Sequence, residues 1–403
     1  MNSAIQNYSL RINDRIVTVP QENAPRAAAV DKNHDHFVSA KEVRDFVRSA
    51  GDGEHGVGNM ADLANEFKCS LGKVQNANLA GYHSFDSLIQ DFDKLAEANP
   101  DFVQKTVLGK SPEGRDLVAY KISEGAQGDT SHRPGVVITG CHHAREWMTV
   151  EAPLVLAHSL LDGIDKDSVK QDRLKQAEVW IMPCVNPDGY EYTRSTDTMW
   201  RKNRRPLEVD QLGQPTKAIG VDLNRNYGDD KPGHEYIFRP ESDKPGTTSD
   251  DFGATSDDPD SECYRGVTAG SEPEVKAVCA LEVRPNVRAA IDYHSYGDDM
   301  LYPWSHTEDH APNYELYQCI GAKVSQATGY KLEQSIGMYP NSGSSDEYQE
   351  ANGIVSFTFE MGRSFQPNPK SIPKVAGTAA KGSVVFIDEI VQHFKAGTLP
   401  ARA

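Results

Sequence analysis

Cys141-His-His-Ala-Arg-Glu-Trp147 sets His143 and Glu146 in an H-x-x-E spacing. A loop can turn both side chains toward one point, and imidazole plus carboxylate is a donor set that suits Zn²⁺. A catalytic zinc takes a third protein ligand and leaves one position open for water. His294, in Asp292-Tyr-His-Ser-Tyr-Gly297, is the best third ligand. It ends a predicted strand, and sites in α/β proteins lie at the carboxyl edge of the sheet. Alone, H-x-x-E recurs by chance. His142 competes with His143, and most other histidines read as surface residues.

Four further segments add to this pair. Asn186-Pro-Asp-Gly-Tyr190 precedes Met199-Trp-Arg-Lys-Asn203, then Gly220-Val-Asp-Leu-Asn-Arg-Asn-Tyr227, then Ser356-Phe-Thr-Phe-Glu-Met361. With these in order, the chain resembles the zinc metallocarboxypeptidases of the carboxypeptidase A/B family, from about Asn78 to Phe394. The resemblance implies a mixed α/β sheet of about eight strands flanked by helices. It implies an enzyme that removes single residues from the free C-termini of peptides and proteins. His143, Glu146 and His294 would hold the zinc, Glu360 would be the general base, and Arg201 would polarise the scissile carbonyl. Asn224 and Arg225 would clamp the terminal carboxylate. Tyr339, in Met338-Tyr-Pro-Asn-Ser-Gly343, would close over the bound residue. Arg145, Ser295 and Tyr296 match positions that contact substrate further upstream.

The chemistry agrees with these roles. A guanidinium recognises a carboxylate through two parallel hydrogen bonds. Zinc lowers the pKa of water toward about 7, and a carboxylate beside it takes the proton. Positive charge placed in advance stabilises the oxyanion. Each residue also has a plain alternative. Glu360 could be a paired carboxylate, Arg201 part of a solvated basic cluster, Asn-Pro-Asp-Gly an ordinary turn, and Tyr339 simple loop packing.

Family resemblance puts the residue at the bottom of the specificity pocket between Tyr339 and Glu360. An acid there selects Lys or Arg, and an apolar residue selects hydrophobic side chains. The segment is one residue shorter than the family pattern. Counting forward from Tyr339 reaches Asp346, whereas counting back from Glu360 reaches Ser345. Asp346 is favoured, because an arriving cation would make a buried acid tolerable. The alternatives are a hydrophobic or mixed preference, cleavage of cell-wall muropeptides, or a non-catalytic, calcium-dependent binding protein.

Asp31-Lys-Asn-His-Asp-His-Phe-Val-Ser-Ala-Lys-Glu42 resembles an EF-hand calcium loop. Asp31, Asn33, Asp35, Ser39 and Glu42 take its side-chain positions, and Phe37 would offer its carbonyl. His36 stands where glycine normally makes the sharp turn, which should weaken Ca²⁺ binding.

These residues must be held by a frame, and the frame is visible in the hydropathy pattern. Ser84–Asn99 reads as a capped helix with Leu88, Phe92 and Leu95 on one face. Leu117–Ile122, Gly135–Cys141, Val179–Val185, Val287–His294 and Ile354–Glu360 read as strands, and Trp147–Leu161 and Ala376–Phe394 as helices. Residues 228–262 read as a long surface loop. The expected division is a small helical EF-hand-like region at 1–50, with Ala27–Val30 ending the helix that enters the loop and Ala40–Arg48 forming the one that leaves it, a linker with a short helix at 51–78, and the catalytic domain at 79–398.

Of the 403 residues, 38% are apolar, 42 are basic and 59 acidic, giving a net charge of −17. Such a chain is ill-suited to nucleic acid or an anionic membrane surface. Its expected partners are peptide or protein substrates, and a monomer is the expected state. The six cysteines form no C-x-x-C pair, so buried free thiols are expected, with one disulfide through Cys263 or Cys279 as the alternative. The N-terminus shows no charged segment followed by an apolar run, so no signal peptide is expected. The resemblance implies an extracellular protein if a signal has been removed, and a cytoplasmic one otherwise.

Overall fold

The computed structural model describes residues 81–208, 216–239 and 255–403, and the backbone of three short strands nearer the N-terminus. Those strands are β1 (Ser9–Ile12), β2 (Arg15–Thr18) and β3 (Phe37–Ser39), paired in the order β2-β1-β3. Asp31, Asn33, Asp35 and Glu42 of the expected calcium loop lie outside the described residues, and Phe37 and Ser39 enter only as β3 backbone. The helices expected to flank that loop and the 51–78 linker also lie outside them. The backbone described in this region is that of these three strands.

The main sheet comprises β4 (Val103–Lys110), β5 (Asp116–Ile122), β6 (Gly135–Gly140), β7 (Glu178–Met182), β8 (Val287–His294), β9 (Asp299–Tyr302), β10 (Lys331–Gln334) and β11 (Val355–Glu360). It is eight-stranded and mixed, in the order β10-β9-β11-β8-β6-β7-β5-β4. The central strands β11, β8, β6 and β7 run parallel to their neighbours in that set. β5 and β4 continue the sheet antiparallel on one side, and β9 pairs antiparallel with β11 on the other.

Among the described residues, eight helices accompany the sheet: α1 (Phe85–Ala98), α2 (Met148–Leu161), α3 (Ser168–Leu174), α4 (Pro187–Ser195), α5 (Pro273–Glu282), α6 (Tyr314–Thr328), α7 (Ser345–Ala351) and α8 (Ile372–Ala396). Successive strand residues point to opposite faces, and the core divides accordingly. Val136, Ile138, Val179, Ile181 and Tyr120 join the layer built with α1, α2 and α8. Val137, Trp180, Met182, Leu117 and Ala119 join the opposite layer, which α5 closes with Val275, Val278 and Leu281. Both faces of the central strands are therefore covered, and β6 and β7 accordingly carry unbroken apolar runs, Val136–Ile138 and Val179–Met182.

Helix α1 shows how local sequence sets an element. The Ser84 hydroxyl accepts from the Ser87 amide at 3.2 Å, satisfying one of the first-turn donors. Phe85, Leu88, Phe92 and Leu95 form its buried stripe. Leu88 is fully buried, so its truncation to Ala should cost about 2–5 kcal/mol.

Two expectations need correction. The 228–262 stretch is not wholly surface: Ile237, Thr255 and Ser256 are buried, and Thr255 Oγ1 donates to the Ser342 carbonyl at 2.9 Å. Among the described residues Cys263 and Cys279 are free and partly exposed, Cys319 is exposed, and only Cys141 and Cys184 are buried thiols. No described helix is long and apolar enough to cross a membrane.

Candidate active site

Strand β6 ends at Gly140, and the chain turns through Cys141–Trp147 into α2. Cys141 takes a left-handed backbone, φ 60°, an arrangement that costs of order 1–3 kcal/mol and is held by its surroundings. Here the Thr149 hydroxyl accepts from the Cys141 amide at 3.0 Å, and the Asn186 amide donates to the Cys141 carbonyl at 3.0 Å. The turn brings His143 and Glu146 together beneath the sheet edge. His294 ends β8 and Glu360 ends the adjacent parallel strand β11, and the two are register partners. All four side chains sit at the carboxyl edge, where such sheets build sites.

His143, Glu146 and His294 are almost completely buried and offer ligand atoms all within 4.8 Å of one another. His143 Nδ1 lies 2.7 Å from Glu146 Oε1 and 3.1 Å from His294 Nδ1. Glu146 Oε2 lies 3.2 Å from His294 Nδ1 and accepts from the Ser295 amide at 3.1 Å. Two ligand nitrogens on a tetrahedral zinc stand about 3.3 Å apart, given metal–nitrogen bonds of about 2.0–2.1 Å. The 3.1 Å separation and the mixed nitrogen and oxygen set therefore fit Zn²⁺. Burial alone would raise the Glu146 carboxyl, but His143 and His294 hold it below the usual carboxylate range.

Asp222 organises this cluster, a role that sequence reasoning missed. Its Oδ1 lies 3.2 Å from His143 Nε2 and its Oδ2 accepts from Arg201 Nε at 2.8 Å. The bond to Nε2 places a proton on that nitrogen and leaves the Nδ1 lone pair for a metal, the usual outer partner of a ligating histidine. Burial would raise the Asp222 carboxyl, yet Arg201, His143 and Arg225 hold it well below its ordinary value. Asp222 lies inside the Gly220–Tyr227 segment, so its position was legible even though its role was not. His142 does not join the cluster. Its Nε2 pairs with the Tyr227 hydroxyl at 2.7 Å, its ring stacks on His294 at 5.3 Å, and burial lowers it to about 3.

Arg201 is buried, and its Nη2 has no hydrogen-bond partner among the described residues. Burial raises Glu360 to about 7, against His294 and Arg201, which pull it down. Asn224 and Arg225 sit in a short 3-10 turn following Asp222. The Arg225 guanidinium lies 5.8 Å from the Tyr339 ring centre. Asn224 Oδ1 accepts from the Ser345 amide at 2.9 Å, tying the turn to the start of α7. Gly343, φ +77°, passes the Arg225 backbone so closely that a side chain there would collide with it.

The first turn of α7 carries both pocket candidates. Ser345 Oγ is buried and has no hydrogen-bond partner among the described residues. Asp346 is buried too; it accepts from Ser335 Oγ at 2.7 Å, from Ser344 Oγ and from the Glu347 amide at 3.0 Å. Burial and Glu347 push the Asp346 carboxyl up. Arg145 pairs with Glu262, while Ser295 is buried and Tyr296 exposed. Asn186, expected in a turn, caps α4 by accepting from the Gly189 amide at 3.0 Å. Its Nδ2 donates to the His142 and Lys202 carbonyls at 3.2 and 3.0 Å, fastening the ligand loop to the Arg201 segment.

The eight-stranded mixed sheet, the His-Glu-His cluster at its carboxyl edge and the arginines around it are features of one class of protein. The zinc carboxypeptidase family matches residues 88–382, and the chain belongs to that family. It is 30% identical over 293 residues to mouse carboxypeptidase A4, covering 70% of this chain and 63% of that protein's length. A zinc carboxypeptidase of Simulium vittatum is 30% identical over 291 residues, 70% of this chain and 85% of the relative. Carboxypeptidase B of Astacus astacus is 28% identical over 289 residues, with the same two shares. Among solved structures, bovine thrombin-activatable fibrinolysis inhibitor in complex with tick carboxypeptidase inhibitor aligns with a TM-score of 0.65 at 27% identity, over 77% of this chain and 98% of that one. Carboxypeptidase A of Helicoverpa armigera shares the fold, with a TM-score of 0.66 at 22% identity over 96% and 98% of the two chains.

Proposed function

We propose that this protein is a zinc-dependent metallocarboxypeptidase that hydrolyses the last peptide bond of peptides and proteins with a free C-terminus. The observation that carries the reading is the convergence of His143, Glu146 and His294 beside Glu360 and the unpartnered Arg201 Nη2. His143 and His294 through Nδ1, and Glu146 through its carboxylate, would hold the ion. A zinc ion there supplies Lewis acidity, lowering the pKa of water toward about 7 and polarising a carbonyl.

The chain's own residues do the rest. Arg225, with Asn224, binds the terminal carboxylate through charge-assisted hydrogen bonds and so fixes which peptide bond reaches the site. Tyr339 covers the bound residue and limits access of bulk water. Glu360, kept basic by its burial, accepts the proton of the attacking water and returns it to the leaving amine. A cation held by its neighbours would draw its titration downward from about 7. Arg201 Nη2 donates to the oxygen that becomes negative, and Asp222 holds Arg201 in place for this.

A preference for C-terminal Lys or Arg rests on Asp346. Its partners are hydroxyls and an amide, and an incoming cation would stabilise its ionised form. Similar relatives carry both the A and the B name, so the names do not decide the preference. A peptide panel differing only in its last residue tests this reading. Chelator-sensitive release of Lys and Arg ahead of Leu, Phe and Glu supports Asp346 as the pocket acid. Preference for Leu or Phe moves the pocket to Ser345.

The acidic spacing from Asp31 to Glu42 supports a calcium ion at the N-terminal loop. Calorimetric titration of the metal-free protein with Ca²⁺ tests it, and no heat beyond dilution would refute it.

A further inference from the structure

Arg145 belongs to the ligand loop, yet its charge is spoken for outside the ligand cluster. Its side chain is 2% exposed and Nη1 donates to Glu262 Oε2 at 2.9 Å, across 117 residues of sequence, and to the Met199 carbonyl at 3.3 Å. The guanidinium lies 4.6 Å from the Phe365 ring centre. Phe365 meets Tyr296 edge-on at 4.9 Å, and Tyr296, two residues past the ligand His294, is 48% exposed. Tyr296, Phe365, Arg145 and Glu262 thus form a strip leading from the ligand loop to solvent.

Glu262 forms the outer end of that strip. Its side chain is 50% exposed. It stands in the 255–263 segment, which Thr255 fastens to Ser342 in the loop that carries Tyr339. The charges of Arg145, Arg201 and Lys202 hold its carboxyl below the usual carboxylate range. A guanidinium without a counter-charge would draw acidic substrate side chains to this strip. With Glu262 attached that attraction is cancelled, and the charged group facing solvent is a carboxylate.

We propose that Glu262 determines specificity on the upstream side of the scissile bond, favouring basic and disfavouring acidic side chains in the residues that precede the one removed. The proposal rests on the carboxypeptidase reading and adds to it a preference for substrates with basic residues just before their C-terminal residue.

The test uses peptides with one fixed, well-cleaved C-terminal residue and Lys, Ala or Glu immediately upstream of the scissile bond. The kcat/KM values are compared for the full chain, for Glu262→Gln and for Glu262→Lys. The wild type should favour the Lys over the Glu peptide by roughly two- to fivefold, the scale of a partly screened ion pair. The ratio should fall toward one in Glu262→Gln, invert in Glu262→Lys, and shrink as salt is raised. An equal Lys-to-Glu ratio in all three proteins overturns the proposal. So does loss of cleavage of the Ala peptide in Glu262→Gln, which would make Glu262 part of the framework of the site. Failure of the wild type to cleave any of the three would overturn the carboxypeptidase reading itself, and this proposal with it.

Discussion

Replacing Asp222 by Asn keeps the shape of the side chain and removes its charge. Asp222 is fully buried and serves three donors: the His143 ring at 3.2 Å, Arg201 Nε at 2.8 Å and the Asn224 amide at 3.0 Å. An asparagine has one acceptor oxygen and turns an NH₂ toward whichever partner it does not accept from. If it accepts from Arg201, the NH₂ faces His143 Nε2 and favours the tautomer that protonates Nδ1, the nitrogen a metal needs. If it accepts from His143, Arg201 is left buried without its counter-charge. Loss of a ligand's outer partner typically costs 10- to 100-fold in metal affinity. Breaking a buried pair from one side costs about 3–5 kcal/mol, and the retained amide should hold the loss nearer the lower figure. Zinc affinity, measured by competition with a chromophoric chelator, should fall by roughly 10- to 100-fold. Urea unfolding of the metal-free variant should show a stability loss of about 3 kcal/mol. Wild-type zinc affinity together with wild-type stability would refute the role given to Asp222.

Three further outcomes follow from the same geometry. Glu360→Gln should retain zinc, measured by elemental analysis, while kcat falls at least ~10²-fold through loss of the proton acceptor; a normal kcat would remove Glu360 from that role. Glu282 is fully buried, its Oε2 has no partner among the described residues, and burial raises its carboxyl from an ordinary 4.5 to about 8. Its stabilising contribution is thus complete below the unfolded pKa of about 4.5 and is lost as pH rises toward about 8. Glu282→Gln should match the wild type near pH 4 and exceed it by roughly 2–4 kcal/mol at pH 8 in denaturant unfolding, whereas parallel pH profiles would contradict this. Asp346→Ala should lower kcat/KM for C-terminal Lys and Arg by roughly 10-fold or more relative to Leu, the cost of removing a buried charge partner, and an unchanged ratio would assign the pocket elsewhere.

The ligands and the sheet edge were legible because they depend on short-range pattern. His143 and Glu146 share one loop, His294 ends a run carrying Val287, Ala289, Ala290, Ile291 and Tyr293, and Glu360 ends an alternating run carrying Val355, Phe357 and Phe359, both of which read as strands. Asp222 was less legible because an Asp before Leu-Asn-Arg reads equally well as a turn cap, and it is one: its Oδ1 also accepts from the Asn224 amide. Asn-Pro-Asp-Gly read as a turn for a similar reason, since the chemistry that closes a turn also caps a helix with Pro in its first turn. β9 and β10 escaped notice because each has only four residues, and Lys331-Leu-Glu-Gln334 forms an edge without an apolar face. The Arg145–Glu262 pair spans 117 residues and has no local signature at all.

The most direct test of the central claim compares two peptides identical except that one ends in a free carboxylate and the other in an amide. Mass spectrometry follows their products, with and without a zinc chelator. Stepwise loss of single C-terminal residues is expected from the free peptide only, abolished by the chelator and restored by added Zn²⁺. Equal cleavage of the amidated peptide, or release that persists without metal, would contradict both the Asn224–Arg225 clamp and the assignment of His143, Glu146 and His294 as zinc ligands.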